Sequence, residues 1–281
     1  MGPTSLSSRL LISLLLQKPR NWTSSQLDLL KFTEHETSAE EAIGHAHLPS
    51  DGDPEFEELA VDFTKLVDFT KLRLEDFRDK KSRSENYFYS IIEDIALIQW
   101  TQKGERLAAR VLTELISLTL PSVNAADNKI TGIPQGKIRF AVPGSDTRAS
   151  ISCTCVLFRI VGGEIRRGVP IAICSALKDG KPANPATDEM PQILVQGILQ
   201  YQDDPSFESY TGFTASIEKT TLRISMATMS QFYLKQLCQG EEPSERFNFW
   251  HSKSFDLREP SDRREALRLI VGTIRYLAAR T

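Results

Sequence analysis

Apolar and polar positions recur along this chain with two different periods, and the change of period divides it. The first half is helical in pattern. A short apolar run at Leu10 to Leu16 leads to Ser24 to Phe32, a helical stretch with Ser24 or Ser25 as N-cap. Pro54, followed by Glu55, Glu57 and Glu58, opens a helix predicted to run towards Lys80. It contains a tandem hexad, VDFTKL at Val61 to Leu66 and again at Val67 to Leu72, with Phe63, Leu66, Val67, Thr70 and Leu74 on a shared face. A period of six is too short for a solenoid and reads as a local duplication. Glu85 to Trp100 aligns Tyr87, Ile91, Ile95 and Ile98. Gly104 to Leu120 aligns Leu107, Val111, Leu115 and Leu118, and Pro121 is expected to end it. Ser122 to Gly136 reads as loop.

The period then drops to two. Lys137 to Val142 alternates as a strand, Pro143 to Asp146 (PGSD) is a turn, and Ala149 to Ile160 reads as one long strand rich in β-branched and aromatic residues. Gly162 and Gly163 turn the chain into a strand ending at Val169 to Cys174. Lys178 to Pro185 has loop chemistry. A helix from Glu189 to Tyr201 has Ile193, Val195, Ile198 and Leu199 as apolar positions, with Gln192, Gln196 and Gln200 spaced i, i+4, i+8. Ser209 to Ser216 and Thr221 to Met226 form a hairpin, Gln231 to Cys238 a short helix and Phe247 to Trp250 an edge strand. A last helix starts near Ser261, with Leu267, Ile270, Val271, Ile274 and Leu277 as its buried stripe. This order predicts an α/β (α+β) fold, a central mixed sheet flanked by helices with a helical N-terminal layer.

Composition adds limits. Among 281 residues, 40% are hydrophobic and 25% charged, the balance of an ordinary globular protein. A net charge of -3 gives no global attraction for nucleic acid or anionic lipid, so either would need a local basic patch. The four cysteines, Cys153, Cys155, Cys174 and Cys238, have neither metal-finger spacing nor a secreted disulfide framework. They read as buried thiols in a reducing compartment, nuclear or cytoplasmic.

Three segments are expected. Residues 1–33 form an N-terminal helical segment. Its apolar run is too short to span a bilayer. A helix packed on the domain is the first reading of its basic, acid-free start, and a mitochondrial presequence the second. Residues 34–53 read as an exposed, mobile acidic linker, because Phe32 to Thr64 holds no Lys or Arg. His45 and His47 within it are expected to be solvated. Residues 54–281 form the main domain. The Arg and Lys residues between Arg73 and Arg83, and those of the last helix, are interleaved with acids and read as solvated ion-pair surfaces.

The stretch Gly168 to Gln202, with the strands and hairpin around it, resembles the PD-(D/E)XK nuclease-like superfamily, in particular its divergent fungal versions. The resemblance runs from about Glu105 to Met226, with LREPSDRREAL in the last helix as a further similarity. It implies a restriction-endonuclease-like fold and a Mg²⁺-dependent phosphodiesterase. In that chemistry carboxylates on adjacent strands hold the metal, a lysine activates water, and a helix presents a glutamine. This chain departs from the pattern. Its strand PIAICSALK has Cys174, Ser175 and Ala176 where an acid would stand, and Ser152 or Thr154 occupies the preceding strand's acid position. A surviving site would need a migrated acid. The resemblance then assigns Asp146, Lys178, Glu189 and Gln196 as catalytic candidates, with Asp146 and Glu189 as metal ligands. Glu105 and Glu114 both remain open as the leading-helix acid.

Three functions follow as expectations: a pseudoenzyme binding nucleic acid or protein through an eroded site, an active Mg²⁺-dependent nuclease using Glu189, or an effector-like interaction protein. A Cys174–His251 nucleophile would require the fold to unite two distant segments.

Overall fold

The computed structural model describes residues 27–37, 41, 43–69, 71, 83–98, 104–124, 130–134, 136–142, 145–177 and 184–279. The start of the N-terminal segment, Thr70 and Leu72 of the second VDFTKL copy, and Lys178 lie outside the described residues.

Asp53 caps helix α1 (Pro54–Phe63) by accepting the Phe56 N–H at 3.1 Å, with Pro54 in the first turn. The helix stops at Phe63 rather than continuing towards Lys80. Its end is held by the buried Arg263, whose guanidinium donates to the carbonyls of Phe63 at 2.9 Å and Lys65 at 2.5 Å. Carbonyls left over at a helix end need donors, and this side chain supplies them. Leu66 is therefore not part of a helical stripe and stands 88% exposed.

Helices α2 (Arg83–Ile98) and α3 (Gly104–Asn124) pack on each other with Ile91, Ile95, Val111 and Leu115 buried. Asp94 and Arg110 pair across them. Pro121 falls in the last turn of α3, where its missing N–H removes a single intrahelical bond, so the helix reaches Asn124.

Ten strands are described: β1 (Phe32–Glu36), β2 (Ile130–Pro134), β3 (Lys137–Ala141), β4 (Arg148–Ser152), β5 (Cys155–Val161), β6 (Glu164–Ala176), β7 (Ser209–Glu218), β8 (Thr221–Ser230), β9 (Phe247–His251) and β10 (Phe255–Asp256). Eight form a mixed sheet in the order β1-β9-β8-β7-β6-β5-β2, with β10 beside β8, while β3 and β4 make a separate hairpin. β2, β5 and β6 form an antiparallel meander. Helices α4 (Pro185–Asp188) and α5 (Met190–Asp203) then carry the chain to β7, which lies parallel to β6. Helices α6 (Gln231–Cys238) and α7 (Pro260–Ala279) complete the chain. One hydrophobic cluster joins α1, α2, α3 and α7 to one side of the sheet, and a second joins α5, α6 and the β3–β4 hairpin to the other. The predicted mixed α/β class, a central sheet flanked by helices, is the observed one.

Three strand expectations are corrected. The long strand Ala149 to Ile160 breaks at Cys153 and Thr154, so its halves serve different sheets. Residues expected as loop supply β2. Phe247 to Trp250 is not an edge, because β1 covers it with Phe32 opposite Phe247 and Trp250 opposite His35.

The stretch 34–53 also departs from an exposed linker where it is described. Glu34 to Glu36 lie in β1, Ile43 and Leu48 are buried, and Asp53 pairs with Arg275 at 2.7 Å. Gly272 lets the Ile43 and Leu48 side chains come within the space a Cβ would occupy. Each buried aliphatic side chain contributes about 1.5–3 kcal/mol, enough to seat an acidic segment whose charges still face water.

Candidate functional site

The glutamine row of α5 faces the sheet. β6 and β7 pair only from Ile173/Thr214 to Ala176/Ile217; register shifts between β5 and β6 on the N-terminal side mark where β6 bends. The glutamines satisfy backbone groups along this seam. Gln196 is fully buried, donates to the Phe213 carbonyl at 2.7 Å and accepts the Phe213 N–H at 3.0 Å. Gln200 donates to the carbonyls of Pro170 at 3.1 Å and Thr211 at 3.3 Å. Gln192 accepts the hydroxyls of Ser175 at 2.9 Å and Thr214 at 3.1 Å. A buried main-chain donor or acceptor without a partner is costly, so the i, i+4, i+8 spacing here fits a fastening role. Gly212 allows it, since a Cβ there would stand 2.9 Å from the Ile193 carbonyl oxygen.

Glu189, just before α5, is also fully buried. One carboxylate oxygen accepts Nε of Arg223 at 2.8 Å and its terminal nitrogen at 2.7 Å, together with the Ser216 hydroxyl. The other accepts the Ser225 hydroxyl. Ser216 and Arg223 sit opposite each other on β7 and β8, so one face of that hairpin builds the whole receptor. Asp146 lies exposed in the turn between β3 and β4. An exposed turn carboxylate and an interior carboxylate already occupied on both oxygens do not make a shared metal site. The structure therefore makes Glu189, at the cap of α5, and Gln196, within it, separate packing elements, leaves Asp146 apart, and does not describe Lys178.

The place where the resemblance puts the family's carboxylates is nonetheless a cavity. It encloses about 350 Å³ at the end of β6 and is lined by Glu105, Arg106, Ser152, Cys153, Thr154, Ser175 and Ala176 among others. Of Glu105 and Glu114, Glu105 lines this cavity. Glu114 turns to the α2–α3 contact, accepts the Ser90 hydroxyl at 2.9 Å, and burial raises its carboxyl pKa. The described donors are hydroxyls, a thiol and one carboxylate. Mg²⁺ prefers carboxylate and water oxygens, and this set fits it poorly. Among the described residues no group of three His, Cys, Asp or Glu is placed to hold a metal.

Three of the four thiols are held protonated, whereas the hydrogen bond with Cys174 lowers the buried Cys155 thiol. Burial pushes Cys153 up to about 12 and Cys238 up to about 11. Cys174 faces Cys155 across β5 and β6; their hydrogen bond and burial raise the Cys174 thiol well above its ordinary range. His251 has its ring nitrogens at the Ser252 carbonyl, 3.2 Å, and the Glu34 carboxylate, 3.4 Å, so it is no partner for Cys174.

A feature not anticipated from sequence lies beside the cavity. In the β3–β4 hairpin Lys137 pairs with Ser152, Arg139 with Ser150 and Ala141 with Arg148. All six are exposed, while Ile138, Phe140 and Ile151 face inward. The outer face of the ribbon is thus basic and hydroxylic, and it ends at Ser152 in the cavity wall. Among the described residues Arg139, Arg148 and Arg106 make no ion pair. The period-two placement of these cations on either side of the PGSD turn was the available signal. No helix among the described residues is long and apolar enough to cross a membrane. No protein-family model matches the chain, and no curated protein matches it.

Proposed function

We propose that this chain is a nuclease-like domain of the PD-(D/E)XK type that holds nucleic acid without cutting it, at a site whose metal-binding carboxylates have been replaced. The observation that carries this reading is the exposed β3–β4 ribbon, with Lys137, Arg139 and Arg148 on one face, leading to a cavity rimmed by Arg106 and lined with hydroxyls. Unpaired guanidinium groups favour phosphate oxygens, and a two-stranded ribbon is narrow enough to enter a major groove. The order β5, β6, glutamine helix α5 and β7–β8 pair supports the nuclease-like reading. The alternative of an active enzyme with Glu189 as migrated acid is disfavoured by the Arg223 pair, which already neutralises that carboxylate.

The test uses fluorescent duplex DNA, single-stranded DNA and RNA with the full chain. Saturable binding in EDTA, with intact nucleic acid after incubation in Mg²⁺ or Mn²⁺, is the expected result. Cleavage that requires metal would move the assignment to the active-enzyme reading. Absence of binding to all three at low salt would leave the ribbon as a protein-docking face and overturn the nucleic-acid reading.

A further inference from the structure

A second cavity, of about 570 Å³, opens between the separated N-terminal halves of β6 and β7 and the ends of α5 and α7. Its size is that of a small-molecule site. Two of the carbonyls at its floor are already answered, since Gln200 donates to those of Pro170 and Thr211, and Pro170 has no N–H. An added strand would compete with these bonds, so the opening suits a compact ligand better than a peptide pairing in the sheet.

The walls are of opposite charge. Arg159 of β5 and Arg166 of β6 line one side, and Asp203, Asp204 and Glu208, at and flanking the loop between α5 and β7, line the other; Asp204 is taken up by Ser206. The side chains of Arg166, Asp203 and Glu208 make no ion pair or hydrogen bond with another described residue. They share a cavity without pairing, so a ligand carrying both charges can bridge them. Between them the surface is apolar, with Ile171, Tyr210 and Leu277 buried beneath it.

We propose that this cavity binds a zwitterion with an apolar body, of the α-amino-acid class, with its carboxylate on the Arg166 side and its ammonium on the Asp203 and Glu208 side. A free amino acid and a dipeptide share this chemistry and differ in the separation of their charges. The site is independent of the nucleic-acid reading, because it lies at the opposite end of β6 from the Ser175 cavity.

Calorimetric titration of the full chain tests it with L-phenylalanine and L-leucyl-L-phenylalanine as zwitterionic probes. N-acetyl-L-phenylalanine lacks the cation and L-phenylalaninamide lacks the anion. One of the two zwitterions should bind saturably, and which one does identifies the source. Each capped form of phenylalanine, or of the dipeptide if that is the binder, should bind at least tenfold more weakly. Arg166→Gln should weaken the zwitterion tenfold or more and leave the amide unchanged, while Asp203→Asn with Glu208→Gln should leave the N-acetyl acid unchanged. These side chains are exposed and make no pair among the described residues, so the variants should fold as the parent does. No saturable binding of either zwitterion at millimolar concentration, or equal binding of the capped and uncapped forms, overturns the proposal.

Discussion

Glu189 and Arg223 form a buried ion pair, 2.7 Å apart, between the start of α5 and the inner face of the β7–β8 hairpin. The pair is completed by the hydroxyls of Ser216 and Ser225, so the carboxylate loses water but not its hydrogen bonds. Removing one partner of such a pair leaves the other charge uncompensated, which costs about 3–5 kcal/mol. Glu189→Ala should therefore lower stability by that order, measured by urea unfolding. Mg²⁺ should raise the melting temperature of neither parent nor variant; a rise seen only in the parent would return Glu189 to a metal site.

Gln196 should prove as structural as Glu189. Gln196→Ala removes both side-chain partners of the Phe213 backbone, and each buried group left unsatisfied costs about 1–3 kcal/mol. Gln196→Glu should also destabilise, because a carboxylate would face the Phe213 carbonyl oxygen, and the loss should shrink as the pH falls and the new side chain protonates. Equal stability of Gln196→Ala and parent in denaturant titration would contradict the fastening role.

Arg263 gives a third case. It is 1% exposed and donates to the carbonyls of Phe63, Lys65, Leu257 and Arg258, with burial pushing its guanidinium down to about 10. Lysine offers three donors on a flexible stem and cannot copy a planar fork reaching several acceptors. Arg263→Lys should lower stability by about 2 kcal/mol or more, with at least one helix-end carbonyl unanswered. Amide exchange should show α1 loosening first at Phe63 to Lys65.

The acid limb of stability should depend on Asp53. The hydrogen bond from Arg275 is the main cause holding its carboxyl below the ordinary value of 3.8, and the Phe56 N–H adds to it. A depressed folded-state pKa contributes stability that is full above 3.8 and is lost as the pH falls through the lower folded value. Arg275→Gln should flatten that part of the stability–pH curve below about pH 4 and lower the plateau above it. An unchanged acid limb would place the dependence elsewhere.

How much of this could be read from the residues differs by element. α5, β7, β8, α6 and α7 were legible because their apolar spacing and turn residues agree with the tertiary structure. The extent of α1 was not: the VDFTKL pattern favours a longer helix, and the stop comes from Arg263, two hundred residues away in sequence. β1 was missed because FTEHE is exposed and acidic, and becomes a strand only by pairing with the apolar β9. At the candidate site, sequence spacing found the glutamine row but not the direction it faces. Period alone places Gln192, Gln196 and Gln200 on one side of a helix, and only the parting of β6 from β7 shows what they bond to. The basic ribbon was hidden because Arg139 and Arg148 are neighbours only across a hairpin.

The most direct measurement is the salt dependence of nucleic-acid binding for the parent chain and for Arg139→Glu/Arg148→Glu. Both side chains are exposed, so the double variant should melt as the parent does. The ribbon account predicts that it binds at least tenfold more weakly in EDTA, with a log–log salt slope lower by about one unit for each phosphate contact removed. The same affinity and the same slope in both proteins would contradict it.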